Sequence, residues 1–247
     1  MTAFSLGMTV FVLWVSWPVH AESPPVLEIG RFSGAADGNI LPEGWKPLTF
    51  PKIKRHTIYT LVKDDGTTVV KAMSEASASG LTRAITINLN KYPILSWRWK
   101  VMSVLNHGDV TKKEGDDSPA RLYVTFDFDP ARSSLWEKTK FAAYKLIYGR
   151  YPPLAAVNYI WASKASKGTI VSSPYTDRSR IIVVESGPEL VNQWVTEERN
   201  VLEDYTQAFG APPPLASGVA IMTDTDNTGE SAIAYYGDIV FKQAASQ

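Results

Sequence analysis

Polar and apolar residues alternate most cleanly over residues 92–101, YPILSWRWKV. Leu95, Trp97, Trp99 and Val101 fall on one side, and Ser96, Arg98 and Lys100 on the other. Successive side chains of an extended chain point in opposite directions, so a period of two predicts a strand with one dry and one wet face. Residues 121–129 repeat the pattern, with Leu122, Val124, Phe126 and Phe128 inward and Arg121, Tyr123, Thr125 and Asp127 outward. Further strands are expected at 24–31, 58–63, 67–72, 83–89, 157–162 and 180–185, and Leu41, Pro42, Glu43 and Gly44 lead into a strand whose Trp45 packs on the core. Asp64, Asp65 and Gly66 mark a hairpin between 58–63 and 67–72, whereas 73–80 is small and polar. The last two strands, 218–223 and 232–241, flank a polar loop in which Asn, Asp and Gly favour a tight turn. Over 132–148 the period becomes helical, with Leu135, Thr139, Ala142 and Leu146 in register, and 200–209 makes a short helix stopped by Gly210. Many short strands, without βαβ alternation, internal repeat or linker, predict a mostly-β chain: a jelly-roll-like antiparallel β-sandwich with one or two short helices.

The first residues stand apart from this pattern. An apolar run over 4–17 is followed by Pro18, then Val19, His20 and Ala21, small residues at the spacing that signal peptidase prefers. The run is shorter than the roughly 20 residues a spanning helix needs. Residues 1–21 are therefore read as a signal peptide and 22–247 as a single sandwich domain, periplasmic or secreted, with no stable membrane anchor after cleavage. The run lacks a preceding Lys or Arg, which keeps an uncleaved anchor as the other reading. The 247 residues include no Cys, so disulfides, thiolate metal sites and a Cys nucleophile are excluded. Beyond the leader only His56 and His107 remain, too few for an imidazole-rich zinc site. Formal net charge is zero, which leaves no global field for nucleic acid. None of this fixes the oligomeric state.

Candidate chemistry follows the polar positions. Asp224, Asp226, Asn227 and Thr228, with Gly229, resemble the first half of a calcium-binding loop, oxygens at positions one, three and five before a glycine. They suit Ca²⁺, although the same residues also make an ordinary hairpin turn. Asp116 and Asp117 open a strand and point to opposite sides, so they do not act together on one bond. Arg121 with Arg98 and Lys100 gives the wet face a cationic lining suited to uronates, sulfates or phosphates. Tyr159 and Trp161 share a side with Val157, where they either stack on sugar rings or belong to the core. Arg199, Asn200 and Asp204 lie beside the short helix, as a site or as a brace for it. Asp238 completes the carboxylates near Arg-bearing strands. No Ser–His–Asp arrangement and no phosphate-cradling Gly-rich loop is present.

Several of these residues fall in a familiar order. Trp97, Arg98, Trp99; Asp116, Asp117, Ala120, Arg121, Val124, Phe126; and Asn158, Tyr159, Ile160, Trp161 come first. Glu197, Arg199, Asn200, Asp204, Tyr205, Phe209 and Gly210 follow, then Met222 to Gly229 and Tyr236, Gly237, Asp238, Ile239. In this series the chain resembles the bacterial exported family catalogued as domain of unknown function 3047, which implies a periplasmic β-sandwich and no established reaction. The last four residues are also similar to the final strand of jelly-roll carbohydrate-binding modules. The leading expectation is an exported glycan-binding, lectin-like protein. The alternatives are a glycosidase or polysaccharide lyase using Asp116, Asp117, Asp204 and Asp238, and a non-enzymatic envelope scaffold, which a broad exposed apolar patch would favour.

Overall fold

A computed structural model describes residues 25–38, 40–127 and 155–244. The expected leader and the helix expected over 132–148 lie outside the described residues, as do Phe128 and Asp129. The strands form two sheets. The first holds β1 (Val26–Gly30), β3 (Ile58–Asp64), β4 (Thr67–Glu75), β6 (Ile94–Val101), β11 (Val195–Asn200) and β13 (Ser231–Lys242), in the order β11-β6-β13-β4-β3 with β1 also on β13. The second holds β2 (Trp45–Leu48), β5 (Ala78–Ile87), β7 (Ser118–Phe126), β8 (Ala155–Ala162), β9 (Ile170–Ser173), β10 (Thr176–Ser186) and β12 (Ala216–Asp224), in the order β2-β5-β12-β7-β8-β10-β9. Pairing is antiparallel except between β8 and β10, which run parallel. The fold is thus mostly β, a jelly-roll-like sandwich with one described α-helix, α1 (Val201–Phe209). No helix among the described residues is long and apolar enough to cross a membrane.

The sheets meet through the dry sides that the alternation predicts. Leu95, Trp97, Trp99 and Val101 of β6 and Leu122, Val124 and Phe126 of β7 are all buried in one core. Trp97 packs edge-on against Trp99 at 5.3 Å between ring centroids, and the pair reaches across to Tyr159 (5.3 Å) and Trp161 (6.3 Å) on β8. Such ring pairs add about 1 kcal/mol each beyond the area they bury. Trp45 packs on Phe32 and donates its indole N–H to the Ile29 carbonyl (3.0 Å), as its leading residues suggest. Two tyrosine hydroxyls cross the core: Tyr236 donates to the Met222 carbonyl (2.6 Å) and Tyr59 to that of Ser79 (2.5 Å). Buried hydroxyls of this kind need a partner, and each finds one on the opposite sheet.

Some elements differ from the sequence expectation. The strands expected at 67–72 and 83–89 reach into the small, polar stretch 73–80: β4 runs to Glu75 and β5 begins at Ala78, with Ala76 at φ +42° making the turn. Small residues suit that corner, where a Cβ on Gly80 would meet the Ile221 carbonyl oxygen at 2.7 Å. Strands β9 (IVSS) and β11 (VTEERN) carry too few apolar residues to be seen by pattern and are edge segments held by their neighbours. β13 changes partner along its length: 231–236 pairs with β4, and 239–242 with β1, the register shifting between Tyr236 and Ile239. At that break a Cβ on Gly237 would fall 2.5 Å from the Arg98 side chain, so glycine lets Arg98 lie over the strand.

Candidate functional site

Charged side chains gather in two places, and the first is an acidic centre. β7 opens directly after a short turn that carries Asp116 and Asp117, and its neighbour β12 closes at Asp224, opposite Ser118. The ladder therefore sets Asp224 beside the two aspartates, and the turn after β12 folds back over them. Arg121 donates from Nε to Asp224 (2.6 Å) and from Nη2 to the Asp116 carbonyl (2.7 Å) and carboxylate (3.0 Å). Asp117 accepts the Thr228 backbone N–H at 2.6 Å and the Asn227 side-chain amide at 3.1 Å. One carboxylate oxygen each from Asp117, Asp224 and Asp226 lies within 4.8 Å of the others.

Four carboxylates thus surround one guanidinium in a largely dry place. Burial pushes Asp224 up to about 7, Asp117 and Asp116 add to the rise, and Arg121 opposes it. Burial and Asp117 also raise Asp226. The Arg121 guanidinium is disfavoured by burial, but Asp224, Tyr123 and Asp116 outweigh this and hold its proton more tightly than usual. Burial lifts Tyr123 to about 12. Carboxylate oxygens are hard donors, and the triad could hold a divalent metal ion of the calcium kind.

This arrangement corrects two expectations. Arg121 is not part of a wet cationic lining, being only 2% exposed and already shared between two aspartates. The converging oxygens are those of Asp117, Asp224 and Asp226, not the contiguous set Asp224, Asp226, Asn227 and Thr228. Asn227 is occupied by Asp117 and by the Tyr175 hydroxyl, which donates to its Oδ1 at 2.7 Å. Thr228 Oγ1 accepts the Glu230 N–H, and Glu230 itself receives the backbone N–H groups of Asn106 and His107.

Other expected contacts turn inward. Tyr159 and Trp161 are 0% exposed, so they are core residues and not a stacking surface. Their polar ends are satisfied by Asp204 (2.8 Å) and by the Gly187 carbonyl (3.0 Å). Asn200 caps α1 by accepting the Glu203 N–H at 3.3 Å, and Arg199 donates from Nε and Nη2 to the two carboxylate oxygens of Asp204. These three brace the helix against β11 and β8. Asp238 clamps Ser33, accepting its N–H (2.8 Å) and hydroxyl (2.5 Å). The carboxylates expected as a catalytic group, Asp116, Asp117, Asp204 and Asp238, therefore have separate partners and do not form one. Arg98 and Arg121 likewise share no hollow, because they stand on the outer sides of different sheets.

The second gathering is the outer side of the first sheet, around Arg98. Trp194 and Tyr235, both half-buried, meet at 6.5 Å between centroids. Arg98 lies 4.5 Å over the Trp194 ring, Lys100 4.8 Å over Tyr235, and Lys71 6.0 Å over Tyr235. Asp64 anchors the group, accepting from Lys100 (2.6 Å) and from the Trp194 indole (2.7 Å). These bonds hold the Asp64 carboxyl below its usual range against the opposing effect of burial. Beside the rings a hollow of about 740 Å³ is lined by Ile58, Met73, Met102 and Ile233 with a polar rim.

The sequence pattern of the family described as protein of unknown function (DUF3047) matches residues 43–240. The chain belongs to that family. Both gatherings fall within the matched DUF3047 span, from Asp64 to Tyr235. No curated protein matches the sequence. Among solved structures, the chain is similar to a xylan-binding domain from Paenibacillus barcinonensis (12% identity, TM-score 0.37, covering 91% of this chain and 99% of that one). It is also similar to the xyloglucanase domain of a type three effector from Sinorhizobium fredii in complex with cellobiose (8%, TM-score 0.43, 85% and 97%). A third similarity is to endoglucanase 3 of Trichoderma harzianum (7%, TM-score 0.40, 83% and 100%).

Sequence reasoning had named Arg98 and Lys100 but missed Lys71, Trp194 and Tyr235. The alternation of β13, which sets Tyr236 inward, was the available signal for Tyr235. Trp194 lies in the connection before β11, where no period marks it.

Proposed function

We propose that this DUF3047 protein is an exported glycan-binding protein whose recognition surface is the outer side of the first sheet. The carrying observation is the pair Trp194 and Tyr235, two partly exposed rings set among Lys71, Arg98 and Lys100. Rings offer a flat apolar face to the C–H side of a pyranose, and ammonium and guanidinium groups bond its hydroxyls or carboxylates. The face supplies this at low entropic cost, since β13 holds Tyr235 and the bond to Asp64 holds Trp194 in place before a ligand arrives.

Export is supported by the apolar run over 4–17 and the small residues that close it; Edman sequencing of protein recovered from an expressing bacterium tests it, with Glu22 as the expected first residue. Ca²⁺ is the ion proposed for the acidic centre, as a structural clamp on the β7 and β12 ends. Binding is tested by calorimetry of the mature protein against neutral and uronate-containing polysaccharides, alongside a Trp194→Ala, Tyr235→Ala variant. Saccharide binding that disappears in the variant supports the reading. Binding that the variant retains, or none to any polysaccharide, overturns it.

A further inference from the structure

The rings occupy only part of their sheet face. One pleat along, Ile58, Met73, Ile233 and Met102 stand side by side on β3, β4, β13 and the residue after β6, through the pairs Ile58 with Met73 and Met73 with Ile233, and a bond from the Met102 N–H to the Ile233 carbonyl. They floor the 740 Å³ hollow, and two are openly wet: Ile58 is 57% and Met102 38% exposed. The neighbouring row is Thr60, Lys71, Tyr235 and Lys100, in the same register. Residues two apart on a strand are about 7 Å apart on one face, so the two rows adjoin.

The two rows ask for different chemistry. An aliphatic floor without a ring gives a sugar nothing to stack on, whereas flexible methionine side chains mould to an alkyl chain. The hollow lies within the size range of small-molecule sites. In the charged rows, Lys100 is matched by Asp64, but neither Lys71 nor Arg98 has a carboxylate partner among the described residues. Three cations around the single Asp64 carboxylate, whose field also reaches Arg98, leave positive charge in excess and favour an anionic group. On the rim of the trough, by contrast, Arg55 and Glu75 neutralise each other at 3.6 Å. Charge is thus in excess at the rings and balanced around the apolar floor.

We infer that the ligand of this face is an acylated, anionic saccharide, with its alkyl chain in the trough and its charged sugar on the rings. This rests on the glycan-binding reading and adds to it the chain and the charge.

Four probes separate the contributions: decyl β-D-glucuronide, decyl β-D-glucoside, methyl β-D-glucuronide and decyl phosphate. Each is titrated below its micellar concentration and followed by calorimetry and by the change in intrinsic tryptophan fluorescence that Trp194→Phe should remove. Decyl glucuronide is expected to bind at least about tenfold tighter than the uncharged glucoside and the chainless methyl glucuronide, each buried methylene being worth a factor of about four. Ile58→Glu with Met102→Glu, at positions exposed enough to leave the fold intact, removes the advantage of the chain. Lys71→Gln with Arg98→Gln removes the advantage of the charge. Methyl glucuronide binding as tightly as decyl glucuronide overturns the acyl chain while the glycan reading stands. Equal binding of the glucoside overturns the charge in the same way. Decyl phosphate matching decyl glucuronide shows that the sugar contributes nothing, which overturns the glycan reading as well.

Discussion

The two charged gatherings of this sandwich are opposites in construction. In the acidic centre the charges are buried, crowded and mutually bonded, with Arg121 divided between Asp116 and Asp224. On the outer face of the first sheet the cations of β4 and β6 lie over the rings of β13 and the Trp194 segment; Lys100 is also held by Asp64, whereas Lys71 and Arg98 rest on rings without an ion pair among the described residues. A buried group whose partners are already taken contributes to holding two strand ends together. Lys71 and Arg98, half-exposed and without an ion pair among the described residues, are available to a ligand. The comparison teaches that concentration of charge marks the fold's fastening, and the looser distribution marks its binding surface.

The most forceful way to break this comparison is to remove Arg121. Arg121→Leu leaves Asp116 and Asp224 facing each other in a dry place, a change that costs about 3–5 kcal/mol when one partner of a buried ion pair is lost. Urea denaturation should show that loss, and Arg121→Leu combined with Asp224→Leu should recover part of it, because the orphaned charge is gone. A loss under about 1 kcal/mol would mean that the centre fastens nothing, since that is the range of an exposed ion pair.

Calcium sharpens the same side of the comparison. An ion bound only by the folded chain raises stability by about 2.7 kcal/mol at a hundredfold excess over its dissociation constant. Millimolar Ca²⁺ should raise the thermal midpoint, EDTA should lower it again, and Asp226→Asn should abolish the response. A midpoint indifferent to Ca²⁺ in the unmodified protein leaves Asp117, Asp224 and Asp226 as a hydrogen-bonded turn and nothing more.

On the outer face the effect belongs to affinity and not to stability. Aromatic anchors that carry binding lose about 2 kcal/mol or more on truncation, so Trp194→Ala should weaken saccharide binding at least about tenfold. Tyr235→Ala should do the same, while Tyr59→Phe, inside the core, should leave affinity alone. Were both ring variants to bind as the parent does, the contrast between fastening and recognition would collapse.

The fold was largely legible because it is written in a period of two. Leu95, Trp97 and Trp99 declare the dry side of β6 without help from any other strand. The site was legible only where it is local: Asp116, Asp117, Asp224 and Asp226 each stood out, but nothing in their spacing says that β7 and β12 are neighbours. Period also misled at Arg121. Its side of β7 is the one that alternation assigns to water, and it is covered because the segment preceding β7 and the turn after β12 close over it. Lys71, Trp194 and Tyr235 come together through register across three strands and a connection, which no single stretch of chain encodes.

A buried carboxylate outside both gatherings also tests the comparison. Glu197 lies on edge strand β11, buried, accepting the Trp99 indole N–H at 3.3 Å. Burial, with help from Glu185 on β10 and against the opposing Lys167, Trp99 and Arg199, lifts its carboxyl to about 6. Glu185 is itself held by Lys167 at 3.0 Å. In the folded chain this carboxyl keeps a proton that the unfolded chain releases near pH 4.5. Folding therefore takes up a proton between those values, and the stability it confers is full below about pH 4.5 and lost as pH rises through about 6. The expected fall is about 1–2 kcal/mol, measured by urea denaturation at a series of pH values, and Glu197→Gln should flatten it. Because this group faces the seam between the sheets, saccharide affinity in that variant should stay at the parent's value. A change in affinity would show that the rings depend on the packing beneath them, and that recognition and fastening are coupled through β6 and β11.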